Sequence, residues 1–483
     1  MSSGAASPSH LDLSDSTSPH ADTMKTTANP VAAAGHMMSA DDPDNPQNWP
    51  LYNKIYVSAV AFAFTWVVAL GITSFTVGIS GVVERFDVTM QVAILGFSLN
   101  LLGIAFAPII TPHLSERFGR RAIYLTSLPT FSLFILGASF SRSFPALAGP
   151  LPMFGTACGP LIGGFVVAYG GWRWTQWIVL ILALGVYLFG IAQPETYPRE
   201  IQRRRAKRNG MPLKLMDAQS GVTMKDMSIV TFFVPLKMLV TEPIVIGLSL
   251  EVGFIFAVTF QWFIAIPAVL ETTYSFTVQQ VGVAFSGAIL GASLSTAMST
   301  IIDISVPHWC IRNHNGTVPE EYRMLPAMIG GPLVMTSLFW IAWTASPSVH
   351  WLSPIFGTAV YIWGAQSIIV SSISYLFDAY PPRGTLSALT AAASFRLIVA
   401  AIIPLVIIEM ITNLTGGWTY SAFGFISAAL IPIPWILYKF GARLRAASKY
   451  NPQMPGSMME NVLGRDEEMQ MQEAQMHGMD TGM

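Results

Sequence analysis

The sequence LSERFGRR at residues 114–121 lies between two long apolar segments and decides how the rest of the chain is interpreted. It carries three of the chain's 26 basic residues, Arg117, Arg120 and Arg121. Basic residues next to membrane-spanning segments are retained on the cytoplasmic side. The turn therefore predicts that both flanking segments are spans and that their shared end faces the cytoplasm.

Composition indicates a membrane protein with many spans. Of 483 residues, 52% are hydrophobic and only 11% are charged, whereas a soluble domain has about 25% charged residues. The formal net charge of −1 argues against a nucleic-acid partner. The sequence predicts an all-α polytopic protein, because lipid leaves only helices and closed barrels as spanning structures.

Apolar runs define the predicted organisation. Runs long enough to cross a bilayer, about 20 residues each, fall at 54–79, 89–111, 121–142, 147–169, 173–193, 242–270, 277–300, 324–345, 351–378, 384–410 and 416–441. They divide the chain into a disordered cytoplasmic tail (1–53), an N-terminal helix bundle (54–193), a basic cytoplasmic linker (194–241), a C-terminal six-helix bundle (242–441) and a cytoplasmic tail (442–483).

The number of predicted spans conflicts with the predicted orientation. Three spans from Arg121 to Gln193 start inside and end outside, yet the linker that follows is rich in Arg and Lys and is expected inside. Residues 54–193 are also much shorter than residues 242–441. Two explanations remain open: a span is absent from the first bundle, or the Gly- and Pro-rich run 147–169 is re-entrant.

Several short motifs together resemble the major facilitator superfamily, specifically its fungal twelve-span drug:proton antiporters. They occur in the expected order: DPDNPQNW at 42–49, the turn at 114–121, GTACGPLIGG at 155–164, PEEYRMLPAMIGG at 319–331, YLFDAY at 375–380, and Arg396 with Pro404. The resemblance implies a two-bundle transporter that exports drugs, polyamines or secondary metabolites. It also implies a fourth span with an intramembrane Arg, which has no counterpart here, so the chain is predicted to have about 11 spans.

The resemblance assigns two structural motifs to transport. In the signature loop, Glu116, Arg117, Gly119, Arg120 and Arg121 are expected to form a gate latch, or only to set topology. In the antiporter motif, Gly155, Gly159, Pro160, Gly163 and Gly164 are expected to allow close helix packing and a bend.

Ionisable and polar residues inside spans supply the candidate proton or substrate groups. Glu251 is predicted to carry a proton, to select cationic substrates, or to make a polar contact between helices. Asp378 and Arg396, near the ends of two spans, could pair with each other or extend to the interface. Candidate cavity residues are Asn100, Gln261, Trp262, Tyr361, Trp363 and Gln366. Asn413 begins a glycosylation sequon.

The sequence therefore predicts a proton-driven efflux transporter of the plasma membrane, with both termini cytoplasmic. Its expected partners are a small-molecule substrate, protons and the lipid bilayer, and it is expected to be a monomer. No motif indicates an enzyme, a cofactor or a metal site. The alternatives are an importer with the same fold, or an inactive or regulatory protein from a truncated gene model.

Overall fold

A computed structural model describes residues 42–139, 158–208, 224–313, 319–380, 382–448 and 450. These residues form helices and connecting turns and contain no strand. The helices are α1 (Leu51–Val77), α2 (Ile79–Phe86), α3 (Met90–Phe118), α4 (Arg120–Ser139), α5 (Cys158–Gly170), α6 (Trp172–Gly190), α7 (Pro198–Arg208), α8 (Met224–Thr241), α9 (Pro243–Tyr274), α10 (Val278–Ala284), α11 (Ser286–Asn313), α12 (Leu325–Thr344), α13 (Leu352–Ala379), α14 (Pro382–Leu430) and α15 (Pro432–Ala446).

The all-helical prediction is confirmed. Among the described residues, nine helical segments are long and apolar enough to cross a membrane. Helix α4, with 20 residues, coincides with the predicted span 121–142. Helix α5 is only 13 residues long and matches the second part of the predicted span 147–169. Helix α14, a 49-residue element, contains the predicted span 384–410 and the first part of the span 416–441, which continues into α15. The chain bends between the two spans at Thr415, whose φ is +68°.

The helices form two sets, α1–α6 and α9–α15. In the first set, α1 packs against α5 and α6, and α4 packs against α6. In the second set, α9 packs along α14, and α13 packs against both α11 and α12. The sets meet where α3 contacts α14 and where α5 contacts α10. A continuous apolar core crosses this boundary, since it includes Leu101 of α3 and Val258 of α9.

The first set has two distinguishable ends. We call the end where α4 begins, with Arg120 and Arg121, the basic end, and the opposite end the far end. Helix α6 begins at the far end, where Trp172 contacts Gly81 of α2, and it finishes at the basic end, where Glu195 accepts the Arg120 N–H.

Helices α4 and α5 run in the same direction. Helix α4 starts at the basic end, and α5 finishes at the far end immediately before α6 begins. Consecutive membrane-spanning helices ordinarily alternate in direction, so the parity conflict found in the sequence persists in the folded chain. The point in the chain where a span is predicted to be missing falls within residues 140–157, which lie outside the described residues. The absence of that span therefore stays a prediction.

Candidate functional site

Helix α9 holds a buried carboxyl group. Its 32 residues are enclosed on most sides by neighbouring helices, and Glu251, in its first third, is only 2% exposed. The Glu251 Oε2 atom has no hydrogen-bond partner. A carboxyl group in such a place is costly to ionise, and ionisable groups inside spans usually serve function. The prediction that Glu251 lies deep within its span is therefore matched by its burial.

An aromatic cluster lies further along the same helix. The Trp262 ring stacks on Tyr361 of α13, with ring centroids 5.2 Å apart and planes 7° apart. The edge of Tyr420 from α14 meets the same indole at 5.3 Å. The Tyr361 hydroxyl donates to the Ile255 carbonyl at 3.0 Å, which fixes the ring. Aromatic faces attract cations as well as apolar surface, so a cluster of this kind suits apolar or cationic ligands.

Glu251 and Trp262 lie on one face of α9. Helical spacing places Glu251, Ile255, Val258 and Trp262 in a single row. Helix α13 runs antiparallel beside α9, since Glu242 at one end accepts from Tyr380 at 3.1 Å and Phe276 at the other meets Trp351 at 5.6 Å.

That antiparallel pairing brings two buried serines of α13 to about the level of Glu251. Glu251 lies before Trp262 on α9, and Ser372 lies after Tyr361 on α13, at the same separation in sequence. Because Trp262 stacks on Tyr361 and the helices are antiparallel, Glu251 and Ser372 lie at about the same level of the bundle. The Ser371 and Ser372 hydroxyls are buried and have no hydrogen-bond partner. Buried polar atoms ordinarily find partners, so the unpartnered oxygens of Glu251, Ser371 and Ser372 mark these two helices as a candidate site.

The other predicted cavity residues, Gln261, Asn100 and Trp363, are buried or half-buried on α9, α3 and α13. Gln261 is completely buried and its amide faces the Tyr420 hydroxyl, without a hydrogen bond of good geometry. Asn100 of α3 is 5% exposed and its Oδ1 atom has no partner. The contact of Phe97 with Phe260 at 6.0 Å joins α3 to α9 at this level. Trp363 of α13 is half-buried with an unpartnered Nε1. We call Asn100, Glu251, Gln261, Ser371 and Ser372 the polar centre, because all five are buried and carry unpartnered polar atoms. Its residues come from both helix sets.

The predicted pairing of Asp378 with Arg396 is wrong. Asp378, in the last turn of α13, instead accepts from Arg323 Nε at 2.8 Å, and the same guanidinium reaches Asp303 at 3.0 Å. Arg396 lies too deep to reach Asp378, because 14 residues of α14 separate it from Pro382. Its guanidinium lies over the Phe256 ring at 4.6 Å, and its Nε has no hydrogen-bond partner.

The signature loop is anchored by a residue that the sequence did not single out. The Glu195 carboxylate accepts from the backbone N–H groups of Arg120 at 3.0 Å and Arg121 at 3.3 Å. It also accepts from Thr196 and Tyr197, each at 3.0 Å. These bonds place an anion at the N-terminus of α4, where free N–H groups and the helix dipole favour it.

Gly119 makes this approach possible. Its φ is +84°, and a Cβ added there would lie 2.6 Å from Glu195 Oε2. Arg121 adds a second connection, since Nη2 donates to the Ile191 carbonyl at 3.0 Å, and Arg120 lies over the Tyr197 ring at 6.0 Å. The side chains of Glu116 and Arg117 lie outside the described part of the structure. The signal that sequence reasoning missed was a single acid, in Gln193-Pro194-Glu195, directly after an apolar run.

The antiporter-motif glycines lie at two helix contacts. A Cβ on Gly159 would lie 2.7 Å from the Ser74 nitrogen of α1, and one on Gly163 would lie 3.0 Å from the Ser74 carbonyl oxygen. Gly164 faces Gly282 of α10 across the boundary between the helix sets. Pro160 contributes the carbonyl oxygen nearest to Gly282. The first motif position, Gly155, lies outside the described residues, and Asn413 is exposed on α14.

The all-helical architecture and the buried polar centre between two helix sets define a polytopic membrane carrier. A family model for the Major Facilitator Superfamily matches residues 153–404, more than half of the chain. The chain belongs to the major facilitator superfamily. It is therefore a transporter of small molecules and not an enzyme.

Relatives and a solved structure agree with this assignment. Polyamine transporter 4 of Saccharomyces cerevisiae is 29% identical over 477 positions, covering 85% of this chain and 72% of the relative. Efflux pump FUBT of Fusarium oxysporum is 28% identical over 459 positions, covering 85% of this chain and 76% of the relative. The structure of a D-xylose-proton symporter has a TM-score of 0.51 at 16% identity, covering 78% of this chain and 97% of the symporter. This last likeness concerns the fold alone.

The alignments are longer than the part of this chain that they cover. The alignment with the yeast relative has 477 positions and includes 85% of the 483 residues of this chain, or about 410. About 65 positions of the relative therefore stand opposite gaps in this chain. The corresponding figure for the Fusarium pump is about 50. These totals of gap positions are close to the length of one span with its loop. The conflict between span number and orientation predicts that a segment of this kind is absent.

Proposed function

We propose that this protein exports a small hydrophobic or cationic compound in exchange for protons, by alternating access, across the plasma membrane of a fungal cell. The observation that carries the proposal is Glu251, a buried carboxyl group of α9 with an unpartnered oxygen. A carboxyl group that is neutral when protonated and costly when ionised suits a carrier that exchanges a proton for a substrate.

The substrate class is proposed from the lining of the centre. Trp262, Tyr361 and Tyr420 offer aromatic faces, and Glu251 offers the negative charge that would balance a cation. The similarity to a polyamine transporter and to an efflux pump supports cationic or apolar cargo and outward transport. A monomer with both termini in the cytoplasm is part of the same proposal, because the basic ends of the helices are expected there.

The test is efflux of preloaded rhodamine 6G, a hydrophobic cation, from yeast that lacks its own drug pumps. We expect the full chain to lower dye retention, and a protonophore to abolish the effect. The variant Glu251→Gln should remove the dependence on the proton gradient. Glu271→Gln on the same helix, near the far end, is the matched control and should export normally. Retention equal to that of empty-vector cells would refute export of this dye class.

A second candidate rests on the parallel course of α4 and α5 and on the alignment gaps. In that reading the chain lacks a span and is an inactive or regulatory membrane protein. The same cells distinguish the two candidates, provided that surface expression is measured. A chain that reaches the plasma membrane, fails with every cationic and neutral dye tested, and gains export when a relative's fourth span is inserted after Ser139 would establish the second candidate.

A further inference from the structure

The residues just before α1 form a closed turn, which we call the N-terminal turn (Asp42–Asn48). The Asp42 carboxylate accepts from the Asp44 N–H at 2.9 Å, and the Asp42 carbonyl accepts from the Asn48 side-chain amide at 3.0 Å. The Asn45 side chain caps the short helix Pro46–Asn48 by accepting from the Gln47 N–H at 3.1 Å. Three polar side chains, those of Asp42, Asn45 and Asn48, thus hold the turn in one shape, which presents the Asp42 and Asp44 carboxylates to the same partner.

The Asp42 and Asp44 carboxylates both bind one arginine of α7, the first helix of the linker between the two helix sets. Arg205 meets Asp42 through two hydrogen bonds, Nη1 to Oδ2 at 2.9 Å and Nη2 to Oδ1 at 3.2 Å. Its Nη2 also reaches Asp44 Oδ2 at 2.5 Å. Two-point contacts between a guanidinium and a carboxylate are stronger and more directional than single charge pairs. The Asp42 side chain is 15% exposed, so solvent screens this pair less than a fully exposed one.

The preceding arginine of α7 reaches the signature loop. Arg204 Nη2 lies 3.6 Å from Glu195 Oε2, and its Nε donates to Glu200 at 2.9 Å. Glu195 in turn caps α4 through the N–H groups of Arg120 and Arg121. Two neighbouring arginines therefore tie α7 to two different parts of the first helix set: the N-terminal turn and the start of α4.

We propose that the N-terminal turn is a clamp that makes α7 move as one body with the first helix set during transport. In this arrangement Arg205, Asp42 and Asp44 are positioning residues. They hold Arg204 where it supports Glu195, and Glu195 holds the signature loop. The part of the linker that the clamp joins to the first helix set then ends at Arg208, the last residue of α7. Neither Arg205 nor its partners lie near the polar centre, so they set how readily the carrier changes conformation without contacting substrate.

The clamp is tested by hydrogen exchange on the full chain in lipid nanodiscs, comparing wild type with Asp42→Asn, Arg205→Gln and the double variant. Asn preserves the acceptor within the turn, so only the charge pair is lost. We expect exchange of the amides of residues 42–48 to rise by about fivefold in each single variant, the usual scale for one partly exposed ion pair. The double variant should exchange no faster than Arg205→Gln alone, because Arg205→Gln already removes the contact with Asp42 along with the contact with Asp44.

Lys207→Gln is the matched control, since it removes one positive charge from the exposed face of the same helix, where Lys207 makes no ion pair with a described residue. It should leave exchange at 42–48 unchanged. Export of rhodamine 6G should show a lower maximal rate in Arg205→Gln at an unchanged half-saturating concentration, and Arg205→Lys should recover part of the rate. Unaltered exchange in Arg205→Gln, additive effects in the double variant, or faster exchange with normal maximal export would each overturn the proposal.

Discussion

Replacing Gly164 by alanine is expected to separate the two helix sets at one end of the molecule. Gly164 of α5 and Gly282 of α10 face each other across the boundary between the sets. A Cβ on Gly164 would lie 2.8 Å from the Val278 carbonyl oxygen and 2.9 Å from the Gly282 Cα atom. A Cβ on Gly282 would lie 2.9 Å from the Pro160 carbonyl oxygen. The obstructing atoms belong to the backbone, so no side-chain rotation relieves the overlap.

The size of the effect follows from this geometry. Overpacking of a tight contact costs about 1–3 kcal/mol, and about 1.4 kcal/mol changes an equilibrium tenfold. The penalty falls only on conformations in which α5 and α10 touch, since an alanine facing open space costs nothing and improves helix propensity. Gly164→Ala should therefore shift the population by roughly five- to 150-fold toward conformations in which these helices are apart.

The assay is a distance measurement between spin labels on Tyr169→Cys of α5 and Val283→Cys of α10, both exposed positions, with Cys158 and Cys310 replaced by alanine. Gly164→Ala and Gly282→Ala should each lengthen the dominant distance. Gly185→Ala on α6 is the control, because a Cβ there meets nothing within 4 Å. Equal distance distributions in wild type and Gly164→Ala, or the same shift in Gly185→Ala, would refute the reasoning.

Three further outcomes are expected. Asp378→Asn should lower the free energy of unfolding by about 1 kcal/mol, measured as a lower apparent melting temperature. The effect should exceed that of Asp303→Asn, because the Asp303 side chain is the more exposed partner of Arg323. The reverse order would contradict the assigned contacts. The hydrogen bond from Arg205 lowers the pKa of Asp42, as does the Asp44 N–H. The stabilisation by Asp42 is therefore complete above its unfolded pKa of about 3.9 and is lost only as pH falls through the lower folded value; exchange at residues 42–48, corrected for intrinsic rates, should not change between pH 5 and 8. Sequencing of transcripts across residues 139–158 should reveal an in-frame insert of roughly 45–60 residues, enough for one span and a loop, and its absence would favour the inactive chain.

Features set by local composition were predictable from the sequence. Long apolar runs become helices in lipid whatever their neighbours, so every predicted span coincides with all or part of a helix. Pairings between distant segments were not predictable in the same way. Asp378 and Arg396 are close in sequence and opposite in charge, yet the start of α14 carries Arg396 away from the basic end, and Arg323, 55 residues before Asp378, takes its place. Charge and spacing do not specify which helix ends meet.

The candidate site shows the same division. Glu251 was identifiable because a carboxyl group within an apolar run is unusual, and Trp262 with Tyr361 because large aromatic residues line cavities. Glu195 is a lone acidic residue a few positions after a predicted span, and no sequence pattern marks it. It caps α4 only because α6 ends beside the start of that helix. The same is true of Arg205, which is one among many basic residues of the linker until the fold brings Asp42 and Asp44 to it.

The course of the helices strengthens the argument for a missing span. In the second set, α13 fills the space beside α11 and α12, and its face toward α9 carries Tyr361 and Ser372. Helices α3 and α4 of the first set stand in the corresponding order along the chain, and within the described residues no helix packs against both of them as α13 packs against α11 and α12. Helices α4 and α5 also run in parallel, and about 50–65 positions of the two relatives stand opposite gaps in this chain. The packing and direction of the helices and the alignment gaps all agree with one absent span. Because α13 contributes Tyr361 to the aromatic cluster around Trp262, we expect its counterpart in the first set to line the boundary between the two helix sets.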